Sequence, residues 1–464
     1  MIFCLLCVSV VQIAFAFAFE PRMTEREFAL DVVSRLQAAG YTALWAGGCV
    51  RDELVGLTPK DYDVATDARP EAVQSLFRRT IAVGASFGVI EVIGPKQDWG
   101  FPTVEVATFR SDGAYADGRH PSNVVFSTPE EDAQRRDFTI NGMFFDPVTK
   151  TLHDFVGGRD DLAAKRLRAI GDPRVRFGED KLRMLRAVRI AARFDLTLDP
   201  ATEAALRDMA HEIPIVSAER IADELRKILV HPSRVRGLNW ILDLGLADAV
   251  LPELGPMHGL PQGLPQAPTG DLWDHVMAVM EALGPEPSFP LAMGALLHDV
   301  GKPRTVGRTP ERYTFYGHEH VGARMASDVA KRLKLSTAER DRVVWLVEKH
   351  QYLADARQMR PSKIKTLLAH PGIRELLTLH RADAVATGRS TDHVDYCEFL
   401  LSLWTEADLS PPPLLTGHDL TRRGYTPGPN FKVWLDAVRE AQLDGTITSP
   451  EHAWAIVEKL ASPS

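Results

Sequence analysis

Residues 45 to 63 constrain this chain more than any other stretch. They read Trp-Ala-Gly-Gly-Cys-Val-Arg-Asp-Glu-Leu-Val-Gly-Leu-Thr-Pro-Lys-Asp-Tyr-Asp. Gly47 and Gly48 follow a short apolar run, Tyr41 to Ala46, and precede a helical turn expected from about Val50. A glycine pair lets the backbone come close to a phosphate, and a helix start offers unpaired N–H groups to an anion. Asp61 and Asp63 then lie two apart in a segment that reads as a strand. Alternate strand residues share a face, so the two carboxylates point the same way. They repel each other unless a cation sits between them. A hard divalent ion such as Mg²⁺ suits that place, because it takes oxygen ligands and also grips phosphates.

The surrounding pattern specifies an α+β chain with a mixed-sheet head and a helical remainder. After an opening helix capped by Thr24 and Glu27 and ended by Gly40, strands are expected at 42–46, 62–65, 88–93, 102–108 and 123–126. A helix near 70–78 separates the second strand from the third. Glu105 lies in the alternating run Thr103 to Arg110, and a sheet-surface salt bridge or a third carboxylate of a metal site both suit it. The loop Ser111 to Pro121 is too polar for a core and reads as a hinge, a lid or a surface loop. Arg135-Arg136-Asp137 follows, with Phe138, Ile140 and Met143 fixing the charged cluster near a core.

From about residue 158 helices dominate. The run Gly178 to Arg193 is expected as one helix, with Leu182, Leu185, Val188 and Ala192 on a packing face. Arg183, Arg186, Arg189 and Arg193 fall within roughly a third of its circumference, a stripe that suits either a solvated surface or base and phosphate contact. Asp199-Pro200 starts a further helix, and Ser217 caps another running to Leu229. Residues 255–270 contain Gly-Leu-Pro-Gln twice and read as a linker or long loop. The expected division is 1–22 extension, 23–157 head, 158–254 neck and body, 255–270 linker, 271–400 a histidine-bearing domain and 401–464 a helical tail.

At 464 residues the chain has room for several cores, and its 45% hydrophobic and 25% charged content is that of a soluble globular protein. A net charge of −8 does not advertise nucleic-acid binding, although a negative total can hide a basic face. Cys4, Cys7, Cys49 and Cys397 form no disulfide framework, and Cys4-x-x-Cys7 lacks a second pair for zinc. A reducing, cytoplasmic setting fits. Met1 to Phe19 is almost wholly apolar but carries no basic residue before the apolar run, so a start at Met23 is expected.

Five motifs in order, from about Leu44 to Leu229, resemble the class II tRNA nucleotidyltransferase and bacterial poly(A) polymerase family. They are Gly47-Gly48 with Arg51-Asp52, Asp61-x-Asp63, the loop from Asp112-Gly113 to Arg119-His120, Arg135-Arg136-Asp137, and Glu179-Asp180 with Arg183. The resemblance implies template-independent, metal-dependent transfer of a nucleotidyl group to an RNA 3′-hydroxyl. It implies that Asp61 and Asp63 hold Mg²⁺ with Glu105 as a further catalytic carboxylate. Arg136 and Asp137 would contact the ribose, and Asp180 and Arg183 would pair with the incoming base. Gly47, Gly48, Arg51, Asn141 and Arg186 complete the nucleotide-binding set that it implies.

A second constellation comprises His275, His298-Asp299 and Asp383, with His318, His320 and His350 nearby in sequence. Set around Leu-Leu-His-Asp-Val-Gly-Lys at 296–302, it resembles the HD phosphohydrolase domain, with His275, His298, Asp299 and Asp383 as ligands of a divalent metal. The reading as a whole is an enzyme that adds or repairs the 3′-terminal CCA of tRNA from CTP and ATP, with no membrane association. Poly(A) or A-only addition shares nearly all of these motifs. A full-length loop at 112–120 argues against CC-only addition, and the Asp61, Asp63, Asp180 and Arg183 set argues against a phosphohydrolase whose head merely binds RNA.

Overall fold

The computed structural model describes residues 23–84, 88–97, 100–112, 124–264 and 267–462. The expected start at Met23, the Cys4-x-x-Cys7 pair and most of the 111–121 loop concern residues outside that range. The described chain divides between Ala164 and Lys165 into two compact units.

The first unit runs α1 (Glu25–Ala38), β1 (Ala43–Ala46), α2 (Gly48–Leu54), β2 (Asp63–Thr66), α3 (Pro70–Leu76), β3 (Thr80–Gly84), β4 (Val89–Ile93), β5 (Thr103–Thr108), β6 (Arg110–Asp112), β7 (Val124–Phe126), α4 (Pro129–Gln134), β8 (Phe144–Asp146), β9 (Thr151–His153) and α5 (Gly158–Ala163). Seven strands form one mixed sheet in the order β3-β4-β5-β2-β1-β8-β9. The β2–β5 pair is parallel and its neighbours are antiparallel. The capping box of Thr24 and Glu27 opens α1 as expected. The buried face of α1, formed by Phe28, Val32, Val33 and Leu36, packs with Trp45, Val64, Ile90, Val92, Val104 and Val106 of the sheet. Strand side chains alternate between faces. Leu44, Ala46 and Ala65 therefore turn to the other face, where they pack with Phe109 and Phe144.

The second unit is helical. Its main elements are β10 (Arg166–Leu167), α6 (Pro173–Glu179), α7 (Arg183–Arg193), β11 (Thr197–Leu198), α8 (Pro200–Met209), α9 (Ala218–Leu229), α10 (Arg234–Asp243) and α11 (Leu246–Val250). There follow β12 (Pro261–Leu264), β13 (Ala267–Asp271), α12 (Leu272–Ala282), α13 (Phe289–Leu297), α14 (Lys302–Thr305), β14 (Gly307–Arg308), β15 (Tyr313–Thr314), α15 (His318–Arg332), α16 (Thr337–Lys349), α17 (Pro361–Leu368), α18 (Ile373–Ala386) and α19 (Asp392–Leu403). The tail holds α20 (Glu406–Leu409), α21 (Gly417–Arg422), α22 (Pro429–Leu443) and α23 (Pro450–Ala461), the last three closing on Leu420, Trp434, Val438 and Val457. No described helix is long and apolar enough to cross a membrane.

Three local expectations are corrected. The helix expected over 178–193 is two helices, because Asp180 adopts extended backbone (φ −146°, ψ 107°) and ends α6. The strand near 123–126 pairs with β6 in a separate two-stranded sheet. The stretch 255–270, expected as a linker, contains a 3₁₀ turn at Gly255–Met257 and the antiparallel β12–β13 hairpin. Across that stretch the helices are joined by the buried Arg234. Its guanidinium donates to the carbonyls of Leu229, Met280, Gly284 and Pro285 at 2.9–3.1 Å.

Candidate active sites

The sheet register builds the first site. Asp63 on β2 stands opposite Glu105 on β5, which in turn stands opposite Glu91 on β4. Val64, Val104, Val106, Ile90 and Val92 face α1, so by alternation the three carboxylates line the opposite face. Asp61 lies two residues before the first residue of the strand, and both Asp61 and Asp63 keep solvent-exposed surface although the carboxyl of Asp63 is largely enclosed. Loss of solvent around the carboxyl of Asp63 and the charges of Glu105 and Asp61 push it up to about 6, against the pull of Arg136. Burial, Glu91 and Asp61 raise Glu105 as well. A cluster of anions that resists full ionisation is the electrostatic state a bound cation relieves. The residues fit a divalent metal.

Arg136 supplies the positive charge on this face. Its Nε and Nη2 donate to Asp132 Oδ2 at 3.0 and 2.9 Å, and Arg135 Nε donates to Asp132 Oδ1 at 2.8 Å. Burial alone would raise Asp132, but the two guanidinium groups prevail and hold it below its usual value. Gly47 makes room for this arrangement. It sits at φ 74°, and a Cβ there would lie 3.0 Å from Arg136 Nη1. A side chain at 47 would meet both backbone strain and the guanidinium.

Arg51 and Asn141 are engaged with each other. Arg51 Nη1 donates to Asn141 Oδ1 at 2.5 Å, and Asn141 Nδ2 donates to Asp137 Oδ1 at 3.0 Å. Arg51 also forks onto Asp52. These four buried side chains tie α2 to the 3₁₀ turn Thr139–Asn141 and fix the position of Asp137.

In the helical unit, Asp180 and Arg183 do not form one i,i+3 face of a continuous helix. Asp180 Oδ1 accepts from Leu182 N at 3.0 Å, and Oδ2 pairs with Arg220 Nη2 at 2.6 Å. Arg183 Nη1 donates to Arg176 O at 3.0 Å and pairs with Glu179. Arg189 of the expected arginine stripe forms an ion pair with the buried Glu224 at 2.6 Å, and Arg193 lies over Phe194.

The second site is assembled by α12, α13, α15, α16 and α18. Asp299 is nearly inaccessible and lies between two groups. Its Oδ2 is 3.4 Å from His275 Nε2 and 3.2 Å from His298 Nε2, while Asp383 Oδ1 is 3.3 Å from His275 Nε2. Its Oδ1 lies 3.2 and 3.5 Å from His318 and His350 Nε2. His318 and His350 were legible in sequence only as neighbours, as was His320, which the structure leaves 58% exposed on the surface. Burial opposes charge on Asp299, but His298 and Lys302 lead the interactions that hold it well below the usual carboxylate range. Burial lowers His298, and Asp299 outweighs that to raise it; burial lowers His350.

The ring tautomers follow from the backbone. Nδ1 of His298, His318 and His350 each lies 2.7 Å from the carbonyl three residues earlier, so each Nδ1 carries a proton, and in the neutral tautomer Nε2 presents the lone pair. Two such lone pairs, on His318 and His350, face each other at 3.2 Å beside Asp299 Oδ1, a buried oxygen with no hydrogen-bond donor among the described residues. Converging acceptors without donors fit a metal ion. The side chains form two triads suited to divalent metal, His275–His298–Asp383 and Asp299–His318–His350, with Asp299 reaching both.

A mixed sheet carrying a carboxylate cluster beside a glycine turn, with a helical His/Asp cluster suited to divalent metal, is the arrangement of a nucleotidyltransferase head joined to an HD domain. Family models agree: "Poly A polymerase head domain" matches residues 43–168, "Probable RNA and SrmB- binding site of polymerase A" matches 195–257, and "HD domain" matches 273–388. The A-adding tRNA nucleotidyltransferase of Deinococcus radiodurans is 33% identical over 443 residues, 90% of this chain and 95% of its own length. The CCA-adding enzyme of Bacillus subtilis is 45% identical over 221 residues, 47% of this chain and 54% of its own. Poly(A) polymerase I of Haemophilus influenzae is 38% identical over 251 residues, 51% and 54% of the two chains. The crystal structure of the Bacillus stearothermophilus CCA-adding enzyme in complex with CTP superposes with a TM-score of 0.70 at 25% identity, covering 94% of this chain and 97% of that one. The chain belongs to the tRNA nucleotidyltransferase and bacterial poly(A) polymerase family, and it is a nucleotidyl-transferring enzyme.

Proposed function

We propose that this enzyme adds or repairs the 3′-terminal CCA of tRNA from CTP and ATP, working in the cytoplasm. The observation that carries the reading is the row of carboxylates on the face of the sheet opposite α1, with Arg136 beside it. Asp61 and Asp63 would hold Mg²⁺, with Glu105 as the additional carboxylate. Bound there, the metal supplies charge neutralisation of the transferring phosphoryl group and a lowered barrier to hydroxyl attack.

The chain's own side chains set the rest. Arg136 offers phosphate and ribose oxygens a cation already fixed by Asp132. Asp137 accepts from a ribose hydroxyl, its position set by Asn141 and, behind it, by Arg51. Asp180 and Arg183 read the base, a carboxylate accepting from the exocyclic amino group that CTP and ATP share and a guanidinium donating to the ring. Arg186 belongs to the same nucleotide-binding set. The buried, unpaired Cys49 and Cys397 suit a reducing compartment.

At the HD centre, His275, His298, Asp299 and Asp383, joined by His318 and His350, would hold divalent metal. Metal there supplies an activated water for phosphate-ester hydrolysis. The two buried lone pairs of His318 and His350 support this reading.

The deciding experiment offers purified protein tRNAs lacking one, two or all three terminal nucleotides, with each labelled NTP in turn. CTP then ATP incorporation supports CCA addition. A second reading, A-only addition, is favoured by the Deinococcus A-adding relative, whose match spans nearly its whole length. It would show as ATP incorporation confined to tRNA lacking the last residue.

A further inference from the structure

We propose that Gln262, on the first strand of the β12–β13 hairpin, is a phosphate-binding residue of the HD centre. The inference rests on the phosphohydrolase reading of that centre and names a contact to its ligand. Gln262 Oε1 accepts from Lys302 Nζ at 3.1 Å, and the same ammonium lies 2.6 Å from Asp299 Oδ2, the carboxylate between the two metal triads. Lys302 is held in place further by the ring of Phe315, 5.3 Å away.

That single hydrogen bond fixes the amide. An ammonium only donates, so the side of the Gln262 amide facing Lys302 must be the oxygen. The nitrogen therefore points away from Lys302, and Gln262 Nε2 is buried with no acceptor among the described residues. A buried donor without an acceptor is costly, and native structures retain one where a ligand or ordered water supplies the acceptor. The hairpin is anchored at its base, with Leu272 N donating to Leu260 O at 2.8 Å and Gly259 N donating to Asp271 Oδ2 at 2.6 Å.

An orphan amide donor and a cation, two hydrogen bonds from the carboxylate that reaches both triads, make a subsite for an oxyanion. The matching ligand is a phosphoryl group, one oxygen of which accepts from Gln262 Nε2 while Lys302 holds the amide in that orientation. The residue lies in the stretch between the segments matched by the RNA-binding and HD models, at 195–257 and 273–388.

The test is inorganic phosphate binding to the full-length, Mn²⁺-loaded protein, followed by calorimetry. His298→Ala reports phosphate held elsewhere, and the difference from wild type isolates the HD centre. Gln262→Ala removes both amide functions, whereas Gln262→Glu keeps the acceptor for Lys302 and loses the donor. Both should weaken HD-bound phosphate by about tenfold or more while metal content and nucleotide addition stay at wild-type levels. Wild-type phosphate affinity in either variant overturns the inference, because Gln262 would then serve only to steady Lys302. Loss of metal from Gln262→Ala, or no phosphate held by wild type beyond the His298→Ala level, overturns it too. Should wild type bind phosphate and yet hydrolyse neither 2′,3′-cyclic phosphates nor simple phosphomonoesters, the hydrolase reading fails while the Gln262 contact stands.

Discussion

His318 and His350 face each other Nε2 to Nε2 at 3.2 Å, each with its Nδ1 on the carbonyl of the residue three before it. With Nδ1 of each ring donating to a backbone carbonyl, the neutral rings turn two lone pairs towards each other, an arrangement that a metal ion between them satisfies. His318→Ala or His350→Ala should each lower the metal bound per chain and abolish phosphate-ester hydrolysis, with nucleotide addition unchanged. His320→Ala, on the exposed ring, should change neither. Metal stoichiometry by mass spectrometry decides the matter, and full metal content in both buried variants would refute the second triad.

Asp61→Ala and Asp63→Ala should eliminate nucleotide addition while phosphate-ester hydrolysis persists, since each removes a proposed ligand at the transferring phosphoryl group. Near-normal incorporation by a folded double variant would refute the carboxylate site.

Asp63 also predicts a pH dependence. Its folded-state value is about 6, above the 3.8 of an unperturbed aspartate. The folded metal-free protein therefore binds this proton more tightly than the unfolded chain. Stability falls as pH rises between those values, and the full cost remains at neutral pH. The carboxylate is partly exposed, so solvent screening limits the cost to on the order of 1 kcal/mol. Asp63→Asn should raise the melting temperature of metal-free protein near neutral pH, with the gain vanishing towards about pH 4. In wild type, metal affinity at the head should weaken as pH drops through about 6, where proton and metal compete for one carboxylate.

Asp180→Ala and Arg183→Ala should relax discrimination against UTP and GTP by about 1–3 kcal/mol per lost hydrogen bond to a buried partner. The readout is kcat/KM for all four nucleotides. Unchanged ratios would show that these side chains serve only their ion pairs with Arg220 and Glu179.

Burial pushes the Cys49 thiol up to about 12 and the Cys397 thiol up to about 11. Neither should react with iodoacetamide near pH 8 in the folded protein, and both should react after unfolding. Site-by-site mass spectrometry distinguishes them from Cys4 and Cys7.

Where side chains alternate into a core, the sequence was readable. The strands β1, β2, β4 and β5 lie within a residue or two of their expected positions because Val64, Ile90, Val92, Val104 and Val106 mark one face. β3 carries no such signal because it is an edge strand whose Ile81 and Val83 are exposed, and β8 and β9 are too short to show a period. The helix break at Asp180 was hidden for another reason. Leu182 and Leu185 set a helical spacing immediately after it, while the interruption comes from the backbone at a polar residue held by Arg220. Asp61, Asp63 and Glu105 were nameable from their motif and alternation, but the Glu91 neighbour needed the register. His318, His320 and His350 are alike as letters; only burial separates two from the third.

Arg234 bears on how such a chain can change over time. Its guanidinium takes one carbonyl from the helix before it and three from the region after residue 271, all in a setting where burial lowers its pKa. Removing the later region would strand a buried cation with most of its acceptors gone. The C-terminal half is thus no detachable cassette. Substituting the proposed metal ligands one at a time leaves these hydrogen bonds in place, whereas deleting the region after residue 271 removes three of them.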